Sequence, residues 1–330
     1  MNLRTTFKID PSRHKISYAT PVMFTGSCFA SEMGEKMAEG KMKVFVNPSG
    51  TVYNPVSISN TIRLVTENRI LRVEDLFPYK DRYISLLHYT DFTSDNADET
   101  LNKINRFTSK AHQFLKEASF LFITFGTSRI YRLVKSGEIV SNCHKLPSEI
   151  FRQDILSAEE IVSLWMQLLD MLNTFNKKLR VIFTISPVRH WKDGAHGNQL
   201  SKSILFVAVE QLLKHPLVEG YFPAYELLMD DLRDYRYYAD DMLHPSRTAI
   251  DYVWDAYTGN YFDPAALAMW REVNNITKSM KHRISESSPS SRKEFATSML
   301  QKINDFCSKH HEVDLSGEIT YFQDILSASG

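Results

Sequence analysis

Apolar runs and helical stripes alternate along most of the chain. Val22–Thr25 is a short apolar run ending at Gly26, which predicts a buried strand. Phe29, Met33 and Met37 then recur at helical spacing and predict a helix that Gly40 stops. The run KVFVNP predicts a second strand closed by Pro48 and Gly50, and NPVSISNTIRLVTEN a helix with Ile58, Ile62 and Val65 on one side. RYISLLHYTDF predicts an extra strand or an extended insertion, and residues 97–118 a polar helix. Residues 119–126, SFLFITFG, are continuously apolar rather than alternating, the pattern of a parallel strand covered on both faces. IYRLVKSGEIVSNC turns at Lys-Ser-Gly between apolar runs and predicts a hairpin. SAEEIVSLWMQLLDMLNTFN is a strongly amphipathic helix that opens on a capping box, Ser157 with Glu160. RVIFTISPV predicts another buried strand, NQLSKSILFVAVEQLLK a helix, LVEGYFPAYELLMDD a last short strand, and HPSRTAIDYVWDAYT a helix opened by proline.

Strands therefore alternate with helices through residue 258, without an internal repeat. That order predicts an α/β fold of right-handed βαβ units, a mainly parallel sheet with helices on both faces. We place this domain at residues 1–260 and a helical extension at 261–330. In the extension, Asp263-Pro264 opens a helix carrying Leu267, Trp270 and Ile276, SESSPSSRK reads as a Ser/Pro linker, and a last helix aligns Phe295, Met299, Ile303 and Phe306. The two helices are expected to pack on the α/β body or on another subunit, which would make a homo-oligomer. The basic group Lys278, Lys281 and Arg283 reads as a solvated face.

Composition narrows the function classes. Lys plus Arg equals Asp plus Glu at 39 each, so the charge balance gives no support to a nucleic-acid or membrane-surface partner. No stretch approaches the roughly 20 apolar residues that span a bilayer. MNLRTTFKIDPSRHKIS lacks the apolar core of a secretory signal. The three cysteines, Cys28, Cys143 and Cys307, cannot all pair within one chain. Reduced thiols in the cytoplasm are the expectation. There is no G-x-G-x-x-G and no Gly-rich loop ending in Lys-Ser/Thr, and Cys143, His144, His190 and His196 have no recognised zinc spacing. No cofactor and no metal are expected.

In parallel sheets, sites form beyond the carboxyl ends of the strands. Those ends carry Gly26-Ser27-Cys28, Asn47-Pro48-Ser49-Gly50, Gly126-Thr127-Ser128 and Ser186-Pro187-Val188-Arg189-His190, and the chain later supplies Asp240-Asp241-Met242-Leu243-His244-Pro245. A hydroxyl or thiol on the first turn of a helix lies at the positive end of the helix dipole, beside free N–H groups suited to an oxyanion. A histidine must reach it and a carboxylate must orient the histidine. Asp241 and His244 have the spacing to face the same way, and Pro245 keeps His244 extended. Each piece alone is more often a plain turn, a cap or a surface histidine. Together, at the right ends of one α/β chain, they point to nucleophilic catalysis.

FTGSCFASEMGEKM resembles the naming motif of the GSCFA family, which is similar to the SGNH (GDSL-type) hydrolases; NPSGTVYNPVSI, SNCHKLP and SPVRHWKDGAHGNQLSKS also resemble that family. The resemblance covers roughly residues 20–260. It implies a three-layer α/β/α fold (flavodoxin-like, SGNH-hydrolase-like), a serine nucleophile near the N-terminus, an Asp-x-x-His pair near the end and oxyanion donors after strands two and three. His244 would then be the general base and Asp241 its orienting acid, with Asp240 a competing choice. Gly50 would be the oxyanion donor after the second strand. The superfamily's third-strand Gly-x-Asn is here Gly126-Thr127-Ser128, so Thr127, Ser128 or the later Asn142 would replace the asparagine. Laid without gaps on Gly-Asp-Ser, the nucleophile column holds Cys28; a shift of one puts Ser27 there. The alignment leans to Cys28 and leaves Ser27 open. Arg189 and His190, with His144, are candidate contacts to a polar or anionic substrate, and a polar surface loop is an equal reading. The implied activity is hydrolysis of an acyl ester, such as an O-acetyl group on a carbohydrate or small metabolite. An acyltransferase would use the same acyl-enzyme. The departures in the first and third motifs suit a catalytically degenerate ligand-binding or scaffold protein.

Overall fold

Continuous apolar runs become strands buried on both faces. In the computed structural model, which describes residues 5–280 and 289–327, β1 (Val22–Gly26) and β3 (Phe120–Phe125) are buried along their whole length. With β2 (Val44–Val46), β4 (Arg180–Ile185) and β5 (Val218–Phe222) they form a five-stranded parallel sheet of order β5-β4-β3-β1-β2. The order reverses between β1 and β3, which opens a crevice at their carboxyl ends. The connecting helices are α1 (Cys28–Glu39), α2 (Pro55–Glu67), α3 (Ala97–Glu117), α4 (Ala158–Phe175), α5 (Gly194–Leu212) and α6 (Arg247–Tyr261).

The strand period of two sends alternate side chains to opposite layers. Met23, Leu121, Ile123, Phe125, Val181 and Phe183 join a large apolar cluster with Ile58, Leu115, Trp165 and Leu205, which puts α2, α3, α4 and α5 on one face. Phe24, Phe122 and Phe222 instead meet Tyr257 of α6, with ring centroids 5.1–6.1 Å apart. α1 shares that face, since Gly34 packs directly on Val46. The result is the three-layer α/β/α fold expected. α4 carries its capping box: Glu160 N–H donates to Ser157 Oγ at 3.1 Å, and Ser157 N–H donates to Glu160 Oε2 at 2.7 Å.

Two small antiparallel pieces are inserted. Phe77–Tyr79 pairs with Arg82–Ile84. Arg129–Leu133 pairs with Ile139–Val140, as the hairpin pattern predicts, and also with Phe151–Ile155. The last strand has no apolar alternation of its own. It is held by the ladder to Arg129–Leu133 and by Arg132, which donates to Asp154 at 3.0 Å.

The chain forms two compact units. The sheet and its layers belong to the first. The second comprises His14–Thr20, Lys36–Lys43 and everything from Tyr261 onward. Within it lie helices Pro264–Met280, Pro289–Cys307 and Ser316–Ser327. Trp270 Nε1 donates to the Lys36 carbonyl at 2.9 Å, Tyr18 donates to the Gly40 carbonyl, and Lys41 pairs with the buried Glu318 at 2.9 Å. Residues His14–Thr20 and Lys36–Lys43 thus join the tail. The helix Ser316–Ser327 is an addition to the sequence reading. The expected Ser/Pro linker is helical from Pro289 onward; its residues before that, with Lys281 and Arg283, lie outside the described residues, and Lys278 is exposed.

Gly26 fixes how closely β1 and β3 approach at the crevice. Its φ is +134°, and a Cβ there would lie 2.2 Å from the Thr124 carbonyl oxygen. Gly137 has φ +76° and open space around it. Gly26→Ala should cost about 2–5 kcal/mol, overpacking plus backbone strain. Gly137→Ala should cost only about 1–2 kcal/mol, strain alone. Urea unfolding of the two variants checks this, and equal losses would refute the close-approach account.

Candidate functional site

The turn after β1 is pinned by the segment after β2. Gly26 N–H donates to Asn47 Oδ1 at 2.8 Å, and the Gly26 carbonyl accepts from Val52 N–H at 3.0 Å. Asn47 sits in the left-handed region at φ 44° and donates from Nδ2 to Ser31 Oγ at 2.8 Å. This turn gives its two reactive side chains different fates. Ser27 is 1% exposed, and its Oγ is buried with no hydrogen-bond partner. Its carbonyl caps α1, accepting from Ala30 and Ser31 at 2.8 and 3.4 Å. Cys28 is the first residue of α1 and only half-buried. Burial pushes the Cys28 thiol up; the Phe29 N–H facing the sulfur, Lys202 and the N–H of Cys28 itself pull it down, while Glu32 pushes it further up.

Lys202 lies beneath the crevice. It is fully buried on the packed face of α5, and Nζ donates to the carbonyls of Gly126 and Ser186 at 2.7 Å each. Those carbonyls stand just past the ends of β3 and β4. Burial pulls Lys202 down to about 7, with the Cys28 sulfur opposing and Arg189 adding to the effect. His190 leaves β4's loop with its N–H on Asn198 Oδ1 at 2.9 Å and its ring edge-on to Tyr53, 5.6 Å between centroids. Its Nε2 lies 3.3 Å from where a Cβ on Gly126 would stand. Burial holds His190 down to about 4, Lys202 and His244 reinforcing and Asp193 opposing, so the imidazole is neutral at physiological pH. Tyr53 is pushed up to about 12 by burial, by Cys28 and by Tyr89.

Asp241 and His244 form an oriented pair on a loop closed by bridging of Tyr238 with Pro245. Asp241 Oδ1 accepts from the N–H groups of Leu243 and His244 at 2.9 Å each, and Oδ2 meets His244 Nδ1 at 2.6 Å. These bonds, the His244 and Leu243 N–H groups foremost, hold Asp241 down to about 2. An ionised Asp241 keeps the proton on His244 Nδ1 and leaves Nε2 free to accept one. Asp240 makes no such contact among the described residues. His244 is half-exposed, and it couples electrostatically to His190, which couples to Lys202, which couples to Cys28. No hydrogen bond among the described residues joins Cys28 to either imidazole.

The N–H groups expected to serve as oxyanion donors are already hydrogen-bonded within the protein. Gly50 N–H donates to the Asn47 carbonyl at 2.8 Å, and Gly126 and Thr127 N–H groups both donate to the Tyr53 carbonyl, at 2.7 and 3.2 Å. Ser128 N–H donates to Ser201 Oγ at 2.8 Å, and Thr127 Oγ1 pairs with the same hydroxyl at 2.9 Å. Asn142 Oδ1 accepts from His144 N–H at 2.8 Å, and both residues line a separate cavity with Tyr79, Lys80 and Arg82. At the head of α1, the N–H groups of Phe29 and Cys28 face the Cys28 sulfur. Arg189 and His190 are brought to the crevice, whereas His144 is not. His196 is exposed, and among the described residues Cys143, His144, His190 and His196 form no cluster able to hold a metal ion.

Sequence reasoning missed Lys202 and Tyr53, and placed Asn47 at the crevice without a role. One signal was available for the first: Lys202, Leu205, Val209 and Leu212 share the buried stripe of α5, and a lysine in an apolar stripe needs a partner.

The GSCFA family model matches residues 21–257. No curated protein sequence matches the chain. Among solved structures, a carbohydrate esterase family 3 protein from Talaromyces cellulolyticus is similar at TM-score 0.35 and 8% identity, covering 77% of this chain and 99% of that one.

Lys202 makes stability depend on pH with a defined sign. Its folded value of about 7 lies below its ordinary 10.5, so the folded state sheds the proton first. Stability from this group is complete above about 10.5 and is lost as pH falls through 7. Between those values the wild type should gain roughly 1.4 kcal/mol per pH unit relative to Lys202→Met. Urea midpoints of the two proteins across pH 7–10 measure the slope, and parallel curves would show that Lys202 does not titrate there.

Proposed function

The chain belongs to the GSCFA family, and from that premise we propose that it is an SGNH-like hydrolase of acyl esters whose nucleophile is the Cys28 thiol. The observation that carries this is the divergence of the two neighbours at the β1–α1 turn. Ser27 Oγ is enclosed, while the Cys28 sulfur sits at the head of α1 beside N–H groups that face it. That is where a developing negative charge is best stabilised.

In this reading His244 Nε2 takes the thiol proton, with Asp241 orienting the ring and stabilising its charge. The Cys28 sulfur bonds to the ester carbonyl carbon, and the N–H groups of Cys28 and Phe29 hold the oxyanion. The carbon–oxygen bond to the alcohol breaks, and His244 returns the proton to the leaving alcohol. Water, deprotonated by His244, then bonds to the thioester carbonyl carbon; the carbon–sulfur bond breaks, the acid departs and His244 returns the proton to the Cys28 sulfur. A second alcohol in place of water would make the same site an acyltransferase. Neutral His190 and the Lys202 amine form the floor beneath the reacting carbonyl. Catalytic hydrogen bonds are often longer before substrate binds, so the missing Cys28–His244 bond is compatible with this role.

A second reading is a catalytically degenerate binding protein. The specific observation in its favour is that Gly50, Gly126 and Thr127 have already given their N–H groups to protein carbonyls.

Turnover of p-nitrophenyl acetate discriminates the two. Cys28→Ala should lower kcat/KM about a thousandfold or more, and His244→Ala substantially. Ser27→Ala should leave it nearly unchanged, because that hydroxyl is buried and unpartnered. The raised thiol predicts a rate that climbs with pH above neutrality. Loss of activity in Ser27→Ala would move the nucleophile by one residue, and equal rates in all variants would leave the binding reading.

A further inference from the structure

A cavity of about 520 Å³ opens beside the Asp241–His244 loop. Ligand pockets of on the order of 300–1,000 Å³ hold small organic molecules, so a sugar-sized compound fits. Arg189, Trp191, Arg233, Tyr235, Tyr238 and Asp241 contribute to its wall. Its charges are unbalanced. Asp241 is engaged by His244, and Asp234, also in the wall, pairs with Arg236 at 3.2 Å. Neither Arg189 nor Arg233 has a carboxylate within ion-pair distance among the described residues. Arg189 is the more telling of the two. Its guanidinium lies over the Trp191 ring at 5.6 Å, and its Nε is buried without a hydrogen-bond partner. A buried donor left unpaired is costly, and a guanidinium is shaped to receive a carboxylate or phosphate. The aromatic side of the wall is open to solvent: Trp191 is 53% exposed and Tyr235 77%. Broad rings of this kind offer a face to the C–H side of a sugar.

We propose that this cavity is an anion-recognising subsite, in which Arg189 binds a carboxylate or phosphate on the alcohol portion of the substrate while Trp191 and Tyr235 pack against its ring. The assignment to the alcohol portion rests on the hydrolase reading above, because the cavity adjoins the Asp241–His244 pair. The substrate class is then an O-acylated acidic or phosphorylated sugar. The Trp191 ring, 5.6 Å from the guanidinium, restrains it in advance, so less rotamer freedom is lost on binding.

Calorimetric titration of Cys28→Ala with glucuronate, glucose 6-phosphate and glucose tests this without turnover. At least one of the anions should bind roughly ten- to a hundredfold more tightly than glucose, the gain expected of charged hydrogen bonds. Whichever anion binds more tightly names the group. Arg189→Met should erase the preference, and Arg189→Lys, which keeps the charge and loses the planar fork, should reduce it. Trp191→Ala should weaken all three ligands, the anions most, because the ring also supports the Arg189 guanidinium. Equal binding of the three by the parent protein would overturn the proposal whether or not a variant folds, as would an unchanged preference in both Arg189 variants. Anion preference without any wild-type esterase activity would overturn the hydrolase reading and leave the anion site standing; activity without anion preference would do the reverse.

Discussion

The arrangement of the crevice depends on one buried amine. Lys202 reaches the carbonyls of Gly126 and Ser186, which leave adjacent strands just where the sheet stops supplying backbone partners. Without it, two acceptors at the ends of the central strands would be buried and unsatisfied. The same amine lies under Cys28 and His190 and acts electrostatically on both. A group that closes the backbone ledger of two strands therefore also sets the local potential. Structure and chemistry are joined at this point.

A second constraint works from the opposite edge. Asn47 accepts from the Gly26 N–H, and Gly26 lies too close to Thr124 for any side chain. The turn between β1 and α1 is thereby held from β2 and β3 at once. Its rigidity decides which of two adjacent residues faces the crevice and which faces the interior. A hydroxyl and a thiol next to each other are chemically both capable of attack; their accessibility separates them.

The N–H groups that follow β3 are already engaged within the protein. The Tyr53 carbonyl takes the N–H groups of Gly126 and Thr127, and the Ser201 hydroxyl takes that of Ser128. The segment after β3 thus gives its N–H groups to α2's lead-in and to α5. What is left is the head of α1, where helix geometry guarantees free N–H groups.

Hydrophobic periodicity by itself determined the five strands, the helices between them and the α/β class. Each of those elements buries a face or a stripe large enough to show in its own residues, as β3 and α4 do. It did not reveal Phe151–Ile155, whose stability comes from pairing with Arg129–Leu133 rather than from apolar residues of its own. Motif and resemblance brought Ser27, Cys28, Asp241 and His244 forward as candidates, because helix starts and the Asp-x-x-His spacing are local properties. Only the tertiary structure could separate Asp241 from Asp240, enclose Ser27, occupy the N–H groups of Gly50 and Gly126, and place Lys202 under the site. Some of those depend on partners far away in sequence, as Lys202 and Gly126 are, 76 residues apart; others, such as the Asp241–His244 and Gly50–Asn47 bonds, are local but depend on how the loop is folded. A hydrogen bond or a buried charge is a property of two groups, and the sequence shows only one at a time.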